Sequence, residues 1–239
     1  MHSYEDNLVL FCGGETQLMP GKLPKPLIKL DKKAMLLNYL DQIPTNLFLK
    51  VILLVEEHWL SEFELVIAPF KHIEICAVSN SSSTLLKLNE YLANYSNHTD
   101  FTTFSYPDIF VEESYWNYTT RIKDRVLVSQ KPLTSRFPRI FSSPFNNKVK
   151  GVSGYHSKVP ANPHFIFAGK FSSETRFLKK YLNTFISQTS EKMKLEVDFF
   201  DWLASEEVLI CDTYIDEWII SDSPKDHQAI LQFINQEKI

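Results

Sequence analysis

No apolar stretch in these 239 residues is long enough to cross a bilayer. The longest runs, such as Val51 to Val55, fall far short of the roughly 20 residues that a transmembrane helix needs. The opening residues, Met1-His2-Ser3-Tyr4-Glu5-Asp6, lack the basic segment and apolar stretch of a secretory signal. An excess of basic charge is also missing. The net charge is −4, so bulk electrostatics do not ask for nucleic acid or an anionic membrane as partner. Cysteine is scarce: Cys12, Cys76 and Cys211 each sit inside an apolar run. That pattern excludes a disulfide framework and predicts buried, reduced thiols in a cytoplasmic protein, with a cysteine nucleophile as the less favoured reading. The seven histidines are scattered, and no pair has helix-face spacing with a carboxylate partner, which argues against a zinc site. Internal repeats, low-complexity tracts and a clear linker are absent, so one domain over residues 1–239 is expected.

What is present is ordinary globular composition, 44% hydrophobic and 23% charged, with a recurring rhythm. Asn7 to Phe11 reads as a buried strand running into Cys12-Gly13-Gly14, and Leu47 to Val55 as a strand covered on both faces. His72 to Val78 reads as extended. Helices are predicted over Ala34–Leu40, His58–Ile67, Ser83–Tyr95 and Ser173–Phe185, with a last one from Pro224. Further strands are expected at Val208–Tyr214 and Trp218–Ser221. The proline-broken middle, from about Phe101 to Gly169, reads as short strands with long loops lying over a core sheet. Strand and helix in alternation predict an α/β fold with βαβ units and a mainly parallel sheet.

Three segments carry a family likeness in order along the chain. Residues 8–40, LVLFCGGETQLMPGKLPKPLIKLDKKAMLLNYL, place Gly13-Gly14, Thr16 and Pro24-Lys25-Pro26-Leu27 after the first strand. Tyr106-Pro107-Asp108-Ile109-Phe110 closes a predicted strand, and residues 195–226 end in Trp218 and the Ser221-Asp222-Ser223-Pro224-Lys225-Asp226 turn. Together these resemble the sugar-phosphate nucleotidyltransferases. Glycines after a strand let backbone N–H groups close on phosphates, and a fixed lysine neutralises charge that develops there.

The resemblance implies a three-layer α/β fold of the nucleotide-diphospho-sugar transferase type, Rossmann-like, with a mainly parallel central sheet. It implies Mg²⁺-dependent attack of a sugar 1-phosphate on the α-phosphorus of a nucleoside triphosphate. Lys25 would neutralise the nucleotide phosphates, and Lys158, in Gly154-Tyr155-His156-Ser157-Lys158-Val159-Pro160, would orient the acceptor phosphate. Gly13, Gly14, Thr16 and Gln17 would line the nucleotide, with Ser83-Thr84 in the place of a base-binding Gly-Thr. Gly169, Glu196 and Asp198 would meet the sugar, and Asp108 and Asp222 would hold the metal. The partners are then a nucleoside triphosphate and a sugar phosphate. Homo-oligomerisation is left open, and a role in surface polysaccharide or capsule synthesis is a family analogy.

The departures fall on the chemistry. Where the family has two residues and then Thr-Arg, this chain has Glu15 and then Thr16-Gln17. Exchanging Arg for Gln removes a charge-assisted phosphate contact worth roughly 1.5–3 kcal/mol, which Lys22 or Arg121 would have to replace. Many members carry an acid two residues after the tryptophan; here that position is Ile220, and Asp222 fits an alternative pattern. A catalytically silent homologue that binds nucleotide or a partner subunit is therefore a second reading. A glycosyltransferase of related fold is a third, disfavoured because no Asp-x-Asp lies near Asp108, where the next acids are Glu112 and Glu113. Plainer roles stay open for the same residues. Lys25 also reads as a solvated loop lysine, Asp108 as a turn residue and Asp222 as a helix cap. Arg121, Lys123 and Arg125 read as the wet face of a strand or as a patch for an anionic substrate. Tyr115, Trp116 and Tyr118 read as pocket lining or as core.

Overall fold

The computed structural model describes residues 6–13, 23–44, 47–80, 83–94, 101–117, 121–132, 138–143, 146–153, 165–189 and 193–236. The chain divides into two compact units: Met1–Ser82 with Ser105–Asn117 and Asp216–Ile239, and Ser83–Phe104 with Tyr118–Ile215.

In the first unit the apolar run Asn7–Phe11 forms β1; Leu8, Val9 and Leu10 have no exposed surface, as expected of a strand covered on both faces. Lys29–Leu30 (β2) and Lys33–Ala34 (β3) form a small antiparallel hairpin turned at Asp31, whose φ is 57°. The helix Met35–Leu40 (α1) follows. Lys50–Glu56 (β4) pairs in parallel with β1, Asn7 opposite Lys50 through Phe11 opposite Leu54. Ile73–Val78 (β5) then extends the parallel ladder on the other side of β4. Leu60–Ile67 (α2), led in by a turn of 3-10 helix at Glu57–Trp59, is the crossover, giving the βαβ unit that the sequence rhythm predicts.

The second unit starts with Thr84–Asn94 (α3) and most of Phe101–Ser105 (β6), whose last residue falls in the first unit. Back in the first unit, Ile109–Val111 (β7) is followed by the short helix Ser114–Asn117 (α4). The second unit continues with Val126–Pro132 (β8), Arg139–Ser142 (β9), Val149–Ser153 (β10) and Phe165–Glu174 (β11). Then come Thr175–Gln188 (α5), a turn of π-helix at Leu195–Phe199 running into Phe200–Ser205 (α6), and Leu209–Thr213 (β12). Parallel β8–β12 pairing sits beside antiparallel β8–β11, β9–β11 and β9–β10 pairs. An aromatic stack fixes this core: Phe104 lies on Phe171 with centroids 4.7 Å apart, and Phe200 meets Phe171 edge-on at 5.3 Å. The last elements, Trp218–Ile220 (β13) and Pro224–Gln236 (α7), belong to the first unit.

The class is α/β with a mostly parallel sheet, as the alternation predicts, and seven α-helices among the described residues. Three local expectations are corrected. The short strands expected in the middle are there, but they do not lie over the core sheet; β8, β9 and β11 are strands of it. Ser173 lies within β11, one residue before its end, and does not start a helix: it pairs opposite Val126, and its hydroxyl donates to the Arg125 carbonyl at 2.9 Å. Residues 121–125 are not a strand face but an exposed turn before β8, with Asp124 at φ 55° and the Arg125 guanidinium donating to the Asp124 carbonyl. All three cysteines are buried and none is in a disulfide, and burial pushes the Cys211 thiol up to about 11, which keeps it protonated near neutral pH. No helix among the described residues is long and apolar enough to cross a membrane.

One buried charge escapes the sequence reading. Lys170, next to Gly169 on β11, is 2% exposed, and burial lowers its pKa to about 8 despite the opposing charge of Asp212 on β12. The unfolded chain, with this lysine near 10.5, binds more protons than the folded chain between about 8 and 10.5. Stability contributed by this group therefore rises with pH across that window. Denaturant midpoints measured at pH 7.5, 8.5 and 9.5 are expected to climb relative to Lys170→Met, in which the rise is missing. Parallel trends in the two proteins would refute a lowered pKa for Lys170 in the folded chain.

Candidate functional site

The site is assembled in the first unit from three separate segments. Lys25 heads a one-turn 3-10 helix, Lys25–Leu27, between two prolines. Pro24 sits at φ −57°, Pro26 and Leu27 are buried, and Leu27 and Ile28 donate back to the Pro24 and Lys25 carbonyls at 2.9 and 3.1 Å. Proline fixes φ on both sides of the lysine, so the backbone is held and only the four-carbon stem is free to turn.

Asp108 lies in the turn between β6 and β7, and Asp222 between β13 and α7. The antiparallel β7–β13 ribbon brings them to one end: Ile109 pairs with Ile220, and the Ser221 N–H donates to the Asp108 carbonyl at 2.8 Å. The ribbon is packed from behind by a cluster of Leu30, Met35, Phe110, Ile230 and Phe233. Further bonds hold it: Val111 N–H to Gln42 Oε1 at 3.0 Å, and Ser114 hydroxyl to Asp216 at 2.7 Å. At the head of α7, Ser223 stands at the N-cap position, its Oγ accepting from Asp226 N–H. The Asp226 carboxylate accepts in return from Asp222 N–H at 2.9 Å. The Asp222 carboxylate itself points to Lys25.

There the three side chains meet. Lys25 Nζ is 2.6 Å from Asp108 Oδ2 and 2.7 Å from Asp222 Oδ1. Each side chain is under a fifth exposed. Burial pulls the lysine pKa down, but the charge and hydrogen bond of Asp108, then those of Asp222, outweigh it, and the net shift is upward. Lys25 is thus a fixed cation. Nearby, His227 Nε2 lies 2.9 Å from Ser221 Oγ; burial and the Lys25 charge push its pKa down against the pull of Asp226.

The carboxyl end of β1 adjoins this point. Cys12 N–H extends the ladder to the Leu54 carbonyl at 3.0 Å, and half-buried Gly13 comes next. Phe11 packs on Tyr106, two residues before Asp108, with centroids 5.2 Å apart. Tyr39, fully buried, donates to Ser105 Oγ at 2.9 Å; burial first, and then Asp108 and Cys12, raise its pKa far above the usual tyrosine range. Tyr115 and Trp116 are core: they are 1% and 0% exposed, and Trp116 packs edge-on against Tyr39, Phe48 and Tyr115. In open α/β sheets the crevice at the carboxyl ends of the strands is where ligands bind.

The structure therefore brings Lys25, Asp108 and Asp222 together, with Gly13 at the end of β1 in the same unit. Ser83, Thr84, Gly169, Glu196 and Asp198 lie in the second unit. Ser83 and Thr84 open α3, and Gly169 has φ 86°, a backbone position that favours glycine. Glu196 and Asp198 lie within the π-helical turn itself, one turn earlier than a helix start, and Asp198 Oδ2 accepts from Lys194 N–H at 2.7 Å. Gly14, Thr16, Gln17 and Lys158 lie outside the described residues, as do Glu15, Lys22 and Tyr118.

Two carboxylate oxygens converging on one point suit Mg²⁺, which is commonly held by one or two carboxylates with water and phosphate oxygens in its other positions. Among the described residues no group of three or more His, Cys, Asp or Glu gathers that could form a cage from protein alone. The donor set therefore fits a cation that takes its remaining oxygens from outside the protein.

No family model matches the chain, and no curated protein does either. Solved structures do. The inositol-1-phosphate CTP transferase of T. maritima superimposes with a TM-score of 0.77 at 13% identity, covering 98% of this chain and 96% of that one. A putative glucose-1-phosphate thymidylyltransferase of Bacillus anthracis gives 0.75 at 11% identity, covering 96% and 94%. HddC of Yersinia pseudotuberculosis gives 0.69 at 14%, covering 96% and 100%. The chain has the fold of these sugar-phosphate nucleotidyltransferases over its whole length.

Proposed function

We propose that this chain is a divergent nucleotidyltransferase that joins a nucleoside triphosphate to a sugar 1-phosphate, releasing pyrophosphate, in the cytoplasm. The observation that carries the reading is the convergence of Lys25, Asp108 and Asp222 from segments far apart in sequence. Such transfer needs positioned charge more than covalent chemistry. Asp108 and Asp222 would hold a divalent cation, which supplies charge neutralisation to the triphosphate when bound. Lys25 would place its ammonium on the phosphate oxygens where charge builds as the α-phosphorus is attacked. The amides after β1, from Gly13 onward, would close on the phosphates. Sugar binding is assigned to Gly169, Glu196 and Asp198, and acceptor-phosphate binding to Lys158. Surface polysaccharide synthesis, such as capsule, is the pathway we assign.

Pyrophosphate release over four nucleoside triphosphates and a panel of sugar 1-phosphates, with Mg²⁺, tests the reading. Turnover with one pair supports it. No turnover with any pair, alongside a nucleotide-induced rise in melting temperature, would instead favour a silent nucleotide-binding subunit. A second measurement addresses the altered loop: Gln17→Arg restores a charge-assisted phosphate contact and is expected to raise turnover about tenfold or more. An unchanged rate would count against residues 13–17 as a phosphate loop.

A further inference from the structure

The ammonium of Lys25 occupies the point on which two carboxylate oxygens converge, Asp108 Oδ2 at 2.6 Å and Asp222 Oδ1 at 2.7 Å. We infer that Lys25 and a divalent cation compete for these same two oxygens, so that cation binding evicts the lysine and frees it for a phosphate. Coordination distances make the two occupants exclusive. A Mg²⁺ ion needs each oxygen at about 2.0–2.1 Å, which leaves no room for an ammonium between the same pair. Charge gives the direction of exchange. Two carboxylates and one ammonium leave a net negative charge that a divalent ion cancels, whereas lysine and ion together would over-fill the site.

The local structure permits the lysine head to leave and the backbone to stay. Pro24 and Pro26 bracket Lys25, Pro26 and Leu27 are buried, and the turn is closed by backbone bonds. The stem has four flexible carbons, and the head is already partly open to solvent. Lys25 thus acts as a built-in counter-ion that keeps the two carboxylates satisfied until a cation arrives. The destination of the freed lysine rests on the nucleotidyl-transfer reading; the competition does not.

Two measurements on the protein without nucleotide test this, using Mn²⁺ as probe. Lys25→Met removes the competing charge and is expected to bind Mn²⁺ at least tenfold more tightly than the unaltered chain, read by the electron paramagnetic signal of free Mn²⁺. In the unaltered chain, saturating Mn²⁺ is expected to raise the rate of Lys25 acylation several-fold, mapped by mass spectrometry, with exposed Lys29 unchanged as the internal control. Equal or weaker Mn²⁺ binding by folded Lys25→Met overturns the inference. So does Lys25 acylation that Mn²⁺ leaves unaltered, a readout that needs no variant to fold. Both are independent of turnover, so a chain that releases no pyrophosphate with any substrate would still show or fail to show the exchange.

Discussion

Lys25→Met is expected to lower pyrophosphate release by a factor of about 10²–10³, the range seen when one donor to developing charge is removed from an active site. The loss should fall on turnover more than on the Michaelis constant, because the ammonium is proposed to act where charge appears and not where the sugar binds. The same substitution leaves Asp108 and Asp222 facing each other without a cation. Their side chains are 19% and 16% exposed. Solvent therefore screens the repulsion incompletely, and a stability loss of about 1–3 kcal/mol is expected. Adding Asp108→Asn should recover much of that loss while leaving turnover low. A merely structural lysine would show the opposite split, with lost stability and a folded fraction that turns over normally.

Trp116→Ala is expected to destabilise the chain by about 3–5 kcal/mol, as for other fully buried tryptophans. The side chain has no exposed surface and meets Tyr39, Phe48 and Tyr115 in edge-on contacts of 6.0, 5.9 and 5.2 Å. For a domain of this size such a loss lowers the melting temperature by roughly 8–15 °C. A pocket-lining tryptophan would instead raise the Michaelis constant and leave the melting temperature nearly unchanged. The two readings that the sequence leaves open thus separate in one thermal scan. Because Tyr39 links this cluster to Ser105, three residues from Asp108, partial loss of activity is expected to accompany the destabilisation.

Much of this was legible from residue order. The run Asn7–Phe11 and the helix begun by Pro224 carry local signals that tertiary context had no reason to override, and the structure keeps their starts to the residue, whereas the strand expected over Leu47–Val55 begins only at Lys50. Lys25 between prolines and the two aspartates at strand ends were legible because each stands at a punctuated position. The resemblance implied that the two acids meet at one metal, but the direct pairing of Lys25 with both was not legible, since it depends on β7 pairing with β13 across some hundred residues. Residues 121–125 misled through alternation: charges at every second position mimic a strand face, but the chain turns at Asp124. Ser173 misled for a related reason, since β11 runs ten residues and carries polar groups into the core at its end. Lys170 is a charge inside FIFAGKF, and nothing in its neighbours announced that a lysine would be buried there.

The β7–β13 ribbon sets the spacing of the two carboxylates through its backbone. Pairing ends with Ile220 opposite Ile109, and the Ser221 N–H donating to the Asp108 carbonyl closes that end. Asp108 carries the accepting carbonyl and Asp222 follows the donating amide, so one main-chain bond ties the two acids to the same end of the ribbon. Inserting a residue between Ser221 and Asp222 should leave the ribbon paired while carrying the Asp222 carboxylate away from the Lys25 ammonium, now 2.7 Å away.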